Sequence, residues 1–428
     1  MAVSTALAEL FGRRRFAIQP GTERIKALLA RLGHPEQRFR SIHVVGTNGK
    51  GSSAAFLASI LTAAGHRSGL FTSPHLISYT ERFQLDGQTI PQQRLDQLIN
   101  DLLAVAGPDD TFFELTTALA CCWFAECNAQ LVVLEAGMGG QADATAAIPA
   151  LATLISPIAL DHQQWLGTSL TAIAAEKTAI AESDSPIICA PQQPEALAAI
   201  VRRCRSNNNR LLLAERNFTA HWETDNSLSY HGQHTAIDGL TPGIPGRYQL
   251  WNAACALATA EQLAAQGWTV PVAALGSGIA SARWPGRMEP FSLPNNVELV
   301  LDGAHNPAGA TALAESLRQY HADRRIILVL GVMADKELAG LLPPLLPLSD
   351  RIITVAPDQE RALGADQLAA QCAQQGHKAL SAGSVEAGVA AAQQLTRPGD
   401  LIVVAGSLFT VGEARAALTG QTCCAVRG

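Results

Sequence analysis

The feature that most constrains this chain is a glycine-rich turn, HVVGTNGKGS, which occupies residues 43–52. A β-favouring run, residues 41–45, leads into it, and small helix-favouring residues follow it. Strand, glycine loop and helix in this order form the setting of a phosphate-binding P-loop, because backbone N–H groups and a helix N-terminus then face one anion. The usual P-loop has a hydroxyl directly after its lysine, whereas Gly51 here separates Lys50 from Ser52. We predict that the loop binds a nucleoside triphosphate; a turn with a solvated lysine is the plainer alternative.

The remaining sequence alternates short apolar runs with amphipathic stretches, which indicates an α/β fold. At 428 residues the chain is too long for one ordinary core. We predict a P-loop domain with a doubly wound, mostly parallel sheet over residues 1–285 and a second, smaller Rossmann-like α/β domain over residues 286–428. The boundary follows from a segment rich in proline and glycine, residues 281–296, in which we expect no regular element. A polar stretch at 218–236 predicts a small edge sheet or hairpin.

Apolar and amphipathic runs also place the individual elements. The first domain has further strands at residues 131–135 and within LATLIS and SPIICA, and the second has strands at 297–301, 326–330, 352–355 and 401–405. Helices are predicted at residues 22–32, 95–105, 116–126, 169–181 and 249–266.

Composition and charge narrow the classes of function. Hydrophobic residues make up 48% of the chain and charged residues 16%, and the formal net charge is −6, so we expect no nucleic-acid surface built on bulk positive charge. No apolar stretch is long enough to span a bilayer, and the first arginines follow an apolar run, the reverse of a signal peptide. Nine cysteines, several in hydrophobic helical contexts, predict reduced buried thiols and a cytoplasmic protein. For Cys423 and Cys424 we expect an unpaired tail rather than a metal or redox site.

A second glycine cluster, EAGMGGQADAT at residues 135–145, competes with the first. Gly137, Gly139 and Ala142 satisfy a dinucleotide-binding pattern, but no long periodic run follows to form the helix that such a site needs. We therefore predict a loop here. Glu135, at the carboxyl end of an apolar strand in a P-loop protein, is then a candidate ligand for Mg²⁺.

Polar side chains recur at three further places: residues 161–177, residues 302–307 and Arg287. Taken alone, His162 in a turn is more often a hydrogen-bonded structural histidine, and Glu176 and Lys177 more often belong to a solvated helix face. The run DGAHNP at 302–307 follows a strand and opens a helix, where its side chains reach a ligand at the carboxyl edge of a sheet. Arg287 lies in the predicted linker, within reach of an interdomain cleft. Each of these three places is only a weak indication of a functional site by itself, and their occurrence in one chain strengthens the prediction.

Together these segments resemble a known family. The motifs that carry the resemblance are IHVVGTNGKGS, TSPHL, FFELTT, LEAGMGGQADAT, DHQQWLGTSLTAIAAEKTAI, WPGRME, LDGAHNP and AGSLFTVGEAR. In this order they are similar to the folylpolyglutamate synthases and bifunctional dihydrofolate synthases, a branch of the Mur ligase superfamily. The resemblance spans Thr22 to about Leu418, and Gly51 is part of the pattern of that branch.

The resemblance implies ATP-dependent ligation of L-glutamate to a pteroate or folate carboxylate, by a typically monomeric enzyme that uses ATP and two Mg²⁺ ions. It implies a carbamylated Lys177 that acts as an anionic metal ligand. Small molecules (dihydropteroate, folates, L-glutamate and ATP) would be its partners. The nucleotide-binding residues it implies are Gly46, Thr47, Asn48, Gly49, Lys50, Gly51, Ser52, Asn252, Arg287 and Asp302. The metal ligands would be Ser73, Glu135, His162 and Lys177, and the substrate-side residues Phe113, Glu114, Thr116, Ala142, Asp143, Ala144, His305 and Ser407.

Chemistry explains why these residue types are needed. A carboxylate is a poor electrophile, so it first attacks the γ-phosphate of ATP, and the glutamate amine then displaces phosphate from the acyl phosphate. Cations such as Lys50 and Arg287 offset charge on the transferring phosphoryl group. We expect Lys50, Lys177, His305 and Arg287 to be the catalytic residues. Because acyl phosphates hydrolyse readily, we expect the two domains to close over the site about the linker.

Two motifs depart from the family pattern, and three other functions stay open. Residues 139–146 lack an arginine and an asparagine that many relatives have, and 405–409 read AGSLF rather than TGSLY. The first departure lies beside the implied pterin pocket and bears on substrate preference. The alternatives are an enzyme for only one of the two glutamate additions, a muramyl-peptide ligase and a nucleotide-binding regulator without catalysis. Muramyl-peptide ligases normally have a further N-terminal domain, and retention of the metal and phosphate residues argues against a regulator.

Overall fold

The structure, a computed structural model, describes residues 5–13 and 21–423, so Cys424 lies outside the described residues. Before the proline-rich segment the helices are α1 (Thr5–Gly12), α2 (Glu23–Arg31), α3 (Lys50–Ala63), α4 (Gln92–Val105), α5 (Phe112–Glu126), α6 (Gln163–Leu166), α7 (Leu170–Thr178), α8 (Pro194–Ser206), α9 (Gln249–Ala265) and α10 (Val272–Ser281). The strands of this part are β1 (Arg40–Val45), β2 (Ser68–Phe71), β3 (Phe83–Leu85), β4 (Gln88–Thr89), β5 (Leu131–Glu135), β6 (Ala150–Ile155), β7 (Ile187–Cys189), β8 (Leu211–Leu213), β9 (Thr219–Trp222), β10 (Leu228–His231) and β11 (Ala236–Leu240).

The first large sheet has the order β4-β3-β2-β5-β1-β6-β7-β8 and is parallel except for the antiparallel β2–β3–β4 edge. Alternate strand residues enter two cores, since Ile42 and Val44 pack with α3, α9 and α10 while Val132 and Leu134 pack with α2, α4 and α5. Helices thus cover both faces, which confirms the predicted doubly wound, mostly parallel sheet. The central strands β1, β5 and β6 end at one edge, where the glycine loop begins.

The polar stretch at 218–236 belongs to a separate antiparallel sheet of the order β11-β10-β9, which extends to Leu240. Tyr230 of β10 donates a hydrogen bond to Glu261 of α9 at 3.0 Å, so this sheet packs on the helix that supports the P-loop. Of the two predicted alternatives, the structure shows the small sheet, with three strands and separate from the large sheet.

The second large sheet has the order β12-β13-β17-β14-β15-β16. Its strands are β12 (Glu289–Leu293), β13 (Val297–Leu301), β14 (Ile326–Leu330), β15 (Arg351–Ala356), β16 (Ala379–Ser384) and β17 (Leu401–Ala405). The helices beside it are α11 (Pro307–Tyr320), α12 (Leu338–Leu345), α13 (Ala365–Gln374), α14 (Val385–Leu395) and α15 (Leu408–Thr419). Only β12 is antiparallel, and the predicted second α/β unit is confirmed.

One expectation for the linker is wrong. Residues 281–296 contain strand β12, in which Pro290 is paired in register with Val300. Because β12 lies at the sheet edge, one of its sides needs no backbone donor, and a proline is tolerated there. The domain boundary at residues 285 and 286 stays a prediction. Within the described ranges, no helix has the length and apolar character needed to cross a membrane.

Candidate active site

The glycine loop joins β1 to α3 as the sequence predicts. The backbone N–H groups of Thr47 and Asn48 donate to the carbonyl oxygen of Pro157 at 3.0 and 3.2 Å, which ties the loop to the segment after β6. Gly49 has a φ of 86°, a left-handed conformation that favours glycine. Lys50 begins α3, with its Nζ 3.3 Å from the carbonyl oxygen of Thr47. The side chain that would meet a phosphate therefore lies over the N-terminus of the helix.

Packing explains the displaced glycine. A Cβ on Gly51 would lie 2.8 Å from the indole ring of Trp284, so a larger residue does not fit unless the ring moves. A Cβ on Gly49 would lie 2.3 Å from Oδ1 of Asn252, which also accepts a hydrogen bond from Ser53 at 3.3 Å. Helix α9 thus places Asn252 against Gly49 of the loop. Trp284 of the linker packs against Gly51.

Three cations surround the acid at the end of β5. Glu135 is 5% exposed, and its Oε2 accepts a hydrogen bond from the backbone N–H of Ser73 at 3.1 Å. Burial raises the pKa of Glu135, while Lys50, Arg287 and Arg82 act in the opposite direction. Since the carboxylate has one backbone partner among the described residues, it is available to a bound cation.

Lys177 and His162 both lie near Lys50, but the side chain of Lys177 is buried whereas His162 is an exposed residue. Lys177 is 2% exposed and its Nζ donates to the carbonyl oxygen of Met138 at 2.6 Å. Burial and the nearby Lys50 lower the pKa of Lys177 to about 7. His162 caps α6 in a left-handed conformation with φ of 51°, and partial desolvation of its ring, together with the charges of Lys336 and Lys50, lowers its pKa to about 4. The solvated helix face is wrong for Lys177, and a neutral imidazole suits a metal ligand.

The second glycine cluster is a loop held against α7. Oε1 of Glu176 accepts from the N–H groups of Gly140 and Ala142 at 3.4 and 3.3 Å, and a Cβ on Gly140 would lie 2.0 Å from the carbonyl oxygen of Glu176. Asp143 accepts from the N–H of Met138 at 3.2 Å. Both carboxylates therefore order the loop beside Lys177, and Glu176 is no solvated residue. Ala144 is buried and starts a single 3-10 turn.

The two large sheets meet through a polar cluster around Asp161. Lys336, which follows β14, places its Nζ 3.0 Å from Oδ1 of Asp161. His305 Nε2 lies 3.7 Å and Asn306 Nδ2 3.4 Å from Oδ2. Burial alone would raise the pKa of Asp161, but His305, His162 and Lys336 outweigh it and hold the pKa well below its usual range. Asn306 also donates to Asn48 of the P-loop at 2.9 Å.

Asp302 organises the linker side of this cleft. Its Oδ2 accepts from the Tyr248 hydroxyl at 2.5 Å and from the N–H of Met288 at 3.0 Å, and its Oδ1 accepts from the N–H of Ala304 at 2.9 Å. These bonds fix the chain around Arg287, whose Nη1 donates to the carbonyl oxygen of Gly286 at 2.9 Å. A direct contact of Asp302 with a nucleotide stays a prediction.

His305 and Ser407 lie at the carboxyl edge of the second sheet. Nδ1 of His305 lies 2.8 Å from the carbonyl oxygen of Gly303, which leaves Nε2 facing Asp161. Ser407 follows β17 and caps α15 by accepting from the N–H of Phe409 at 3.1 Å. The structure thus brings both residues to the edge that faces the P-loop domain.

The residues expected on the pterin side divide into two groups. Phe113 is partly exposed, and its ring packs against Phe71 and against Gly137, where a Cβ would lie 2.6 Å away. Glu114 instead caps α5 and forms an ion pair with Arg24 at 3.0 Å. Thr116 is fully buried and bonds the Tyr79 hydroxyl at 2.8 Å. Of these three residues only Phe113 is partly exposed, whereas Glu114 orders the start of α5 and Thr116 holds the Tyr79 hydroxyl.

Sequence reasoning missed four residues at this site: Lys336, Trp284, Tyr248 and Arg82. Lys336 follows the carboxyl end of β14, and this position carried a usable signal because parallel strands end at one edge. The other three show their roles only through contacts between distant segments.

No group of three or more His, Cys, Asp and Glu side chains in residues 5–13 and 21–423 has the spacing of a metal site. Ser73 and Glu135 nevertheless bring a hydroxyl and a carboxylate together at the end of β5, and His162, which like Glu135 has Lys50 as a neighbour, adds an imidazole. Oxygen donors suit Mg²⁺, which also keeps waters and phosphate oxygens as ligands. The residues fit a divalent cation that arrives with a nucleotide.

Comparison with known proteins identifies the family. The Mur ligase middle domain family matches residues 44–260, and the Mur ligase glutamate ligase domain family matches residues 286–408. A relative named dihydrofolate synthase/folylpolyglutamate synthase from Bacillus subtilis is 34% identical over 384 residues, which cover 84% of this chain and 86% of the relative.

Two solved structures share the whole fold. Escherichia coli FolC in complex with DHPP and ADP superposes with a TM-score of 0.88 at 31% identity, over 98% of this chain and 99% of the other. The bifunctional folylpolyglutamate synthase/dihydrofolate synthase of Yersinia pestis, complexed with AMPPNP and a Mn ion, has a TM-score of 0.87 at 30% identity, over 96% and 97%. This chain belongs to the dihydrofolate synthase/folylpolyglutamate synthase family of Mur ligases.

Proposed function

We propose that this enzyme, an ATP-dependent carboxylate–amine ligase, adds L-glutamate to dihydropteroate and to the γ-carboxylate of folates. One observation carries the proposal most strongly. Lys50 of the P-loop and Arg287 both act on the charge of Glu135 at the end of β5. The neighbouring strand β2 ends in Phe71, whose ring packs against the partly exposed Phe113, so a triphosphate and an acceptor carboxylate can meet at this edge of the sheet. The family relationship supports both halves of the reaction.

In the first step Lys50 and Arg287 bind the γ-phosphate. An oxygen of the acceptor carboxylate forms a bond to phosphorus, the bond to ADP breaks, and an acyl phosphate results. The two cations offset negative charge in this transfer. Ser73, Glu135 and His162 would hold a divalent cation, which supplies further charge neutralisation on the phosphates.

In the second step the glutamate amine attacks the carbonyl carbon of the acyl phosphate. Phosphate leaves with the electron pair of the C–O bond, the amine nitrogen loses a proton, and an amide remains. His305 and Ser407 are proposed to bind the incoming glutamate, since both lie at the carboxyl edge that faces the P-loop. The contacts of Asp161 with His305 and Lys336 keep that edge close to the nucleotide.

We further propose that Lys177 is carbamylated. A pKa of about 7, lowered by burial, leaves much of the amine neutral at physiological pH. A neutral amine adds to CO₂ to give a carbamate and a proton, which turns the side chain into an oxygen ligand. A protein incubated with ¹³C-bicarbonate should show a carbamate carbon signal that Lys177→Arg lacks; a signal equal in both proteins would contradict the proposal.

An assay of ADP release with different acceptor substrates distinguishes the proposed function from its alternatives. ADP release should require L-glutamate together with dihydropteroate or tetrahydrofolate, each assayed separately. Release with only one of the two acceptors would limit the enzyme to one addition, and release only with UDP-muramoyl peptide would replace the proposal by a muramyl-peptide ligase. If no acceptor gives turnover while ATP still binds, the chain is a nucleotide-binding regulator.

A further inference from the structure

A buried arginine beside the site forms no ion pair with a carboxylate of the described residues, although Glu135 and Glu81 act on its charge from a longer distance. Arg82 ends the 3-10 turn Tyr79–Arg82 and is 3% exposed. Its Nε donates to Nδ1 of buried His75 at 2.9 Å. Its guanidinium carbon lies 5.3 Å from the ring centroid of Tyr79 and 5.4 Å from that of Phe112. Among the described residues, no carboxylate lies within ion-pair distance of Arg82, and its two terminal nitrogens make no hydrogen bond.

Burying the charge of Arg82 costs free energy unless an anionic ligand pairs with it. Removing a cation from water costs several kcal/mol, and buried charges in proteins are normally paired. Two half-buried arginines of this chain illustrate that rule, since Arg415 pairs with Glu289 at 2.9 Å and Arg325 with Asp400 at 2.5 Å. Cation–π contacts with two rings offset only part of the cost. An anionic ligand would supply the ion pair that Arg82 does not form with the described residues.

The position of Arg82 tells which anion fits. Its carbonyl oxygen accepts from the N–H of Thr72, the residue before Ser73, so it is anchored to the strand end that carries the proposed metal ligand. Arg82 influences Glu135 together with Lys50 and Arg287, but it approaches from the side of Tyr79 and Phe112. The proposed function assigns the nucleotide phosphates to the side of Lys50. The aromatic side is left for the other reactant, whose anionic group must reach the γ-phosphate.

We infer that Arg82 binds the acceptor carboxylate and holds it for attack on the γ-phosphate. This inference rests on the proposed function and adds to it the residue that recognises the reacting group. The two terminal nitrogens of a guanidinium match the two oxygens of a carboxylate, and holding the nucleophile in place contributes to the rate. His75 is a positioning residue, because its Nδ1 fixes Nε of Arg82 and so orients the terminal nitrogens.

The test compares two ligands of one shape. Dihydropteroate and its carboxamide analogue, in which an amide replaces the reacting carboxylate, are titrated into the full chain in the presence of AMPPCP. Wild type should bind the acid more tightly than the amide. Arg82→Met should weaken acid binding at least about tenfold and amide binding little, so that the preference for the acid disappears. Equal losses for both ligands, or no loss for either, would overturn the inference.

Further variants separate recognition from folding. Arg82→Lys keeps the positive charge but lacks the two terminal nitrogens of the guanidinium, and it should retain part of the preference for the acid. His75→Leu should reduce that preference and His75→Gln restore it, because a glutamine oxygen can accept from Nε. These three carry the test if Arg82→Met does not fold. Arg324→Met removes an arginine that binds Glu298 and the carbonyl of Gly399, away from the site, and should leave both affinities unchanged.

The same titration shows whether the inference about Arg82 fails by itself or whether the proposed function fails. If wild type binds neither dihydropteroate nor its amide while AMPPCP still binds, the pterin substrate is wrong, and the inference falls with it. If wild type prefers the acid and Arg82→Met keeps that preference, only the role of Arg82 is wrong.

Discussion

At the scale of single residues, Gly51 shows how one position joins two functional segments. Its missing side chain lets the Trp284 ring lie against the start of α3, with an added Cβ only 2.8 Å from the ring. We predict that Gly51→Ala destabilises the protein by about 1–3 kcal/mol, as overpacking does. It should also raise KM for ATP several-fold, because the P-loop must shift. Urea unfolding and initial rates measure the two effects.

A matched control is available in the same domain. Gly276 lies inside α10, and an added Cβ would meet only Leu240 at an ordinary 3.6 Å. Gly276→Ala should leave KM for ATP unchanged and stabilise the protein by up to about 1 kcal/mol, since alanine favours helix. A normal KM in Gly51→Ala, or rescue failing in Gly51→Ala/Trp284→Leu, would contradict the packing explanation.

His43 predicts how stability depends on pH. It is fully buried in β1, and burial lowers its pKa from 6.5 to about 4, an effect that the backbone of Thr145 and Ile148 offsets only in part. Between these values the unfolded chain binds a proton that the native protein does not. The free energy of unfolding should therefore fall as pH drops from 6.5 to 4, by about 3 kcal/mol from this residue.

Comparison with His43→Leu isolates the contribution of His43 from those of other buried histidines. Above pH 7 the difference in unfolding free energy between the two proteins should be constant. Below pH 6.5 wild type should lose stability faster than the variant. Parallel curves down to pH 4.5 would show that His43 has an ordinary pKa in the native protein.

At the scale of elements, Glu114 at the start of α5 has a structural role rather than the substrate-binding role that the sequence predicts. It accepts from the N–H and hydroxyl of Thr111 at 2.8 Å each, and it pairs with Arg24 of α2. We predict that Glu114→Ala destabilises the protein by about 1–3 kcal/mol and leaves KM for the pterin substrate nearly unchanged. Thermal unfolding and initial rates test this. A large rise in KM without a loss of stability would instead make Glu114 a substrate residue.

Glu126 of the same helix provides the comparison. It pairs with Arg94 at the exposed C-terminal end of α5. Glu126→Ala should cost no more than about 1 kcal/mol, because exposed ion pairs contribute little.

The elements differ in how well the sequence predicts them, and burial explains the difference. Strands β13, β14 and β17 match their predicted bounds, since parallel strands covered on both faces form continuous apolar runs. Strand β16, ALSAGS, is polar and lies at an edge, and β12 contains a proline, so neither gives such a signal. Strand order depends on contacts between distant segments, and the pattern of apolar residues in the sequence does not predict it.

At the scale of the whole molecule, cross-domain contacts predict closure about the linker. Asp161 binds Lys336 and Asn48 binds Asn306 across the cleft, and Leu76 of the loop after Ser73 packs among residues of the second sheet. We predict that AMPPCP with dihydropteroate makes the protein more compact in solution scattering. Lys336→Met should reduce this change, because it leaves Asp161 without its cation. A scattering profile that ligands leave unchanged would contradict the hinge.

The candidate site was predictable in its parts but not in its assembly. The P-loop, Glu135 and the strand-end motifs follow from residue type and position after a strand, and the resemblance added roles for His162 and Lys177. The burial of Lys177, the cluster around Asp161 and the unpaired charge of Arg82 arise only when segments far apart in sequence meet. Electrostatic environment is a property of the folded chain, and the local sequence contains little of it.

Oxygen transfer from the acceptor carboxylate tests the central claim most directly. Dihydropteroate labelled with ¹⁸O in its carboxylate is incubated with ATP, L-glutamate and the enzyme, and the released phosphate is analysed by mass spectrometry or ³¹P NMR. An acyl phosphate intermediate predicts that one ¹⁸O appears in each phosphate released. Phosphate that carries no ¹⁸O, while amide product accumulates, would contradict carboxylate activation by phosphoryl transfer.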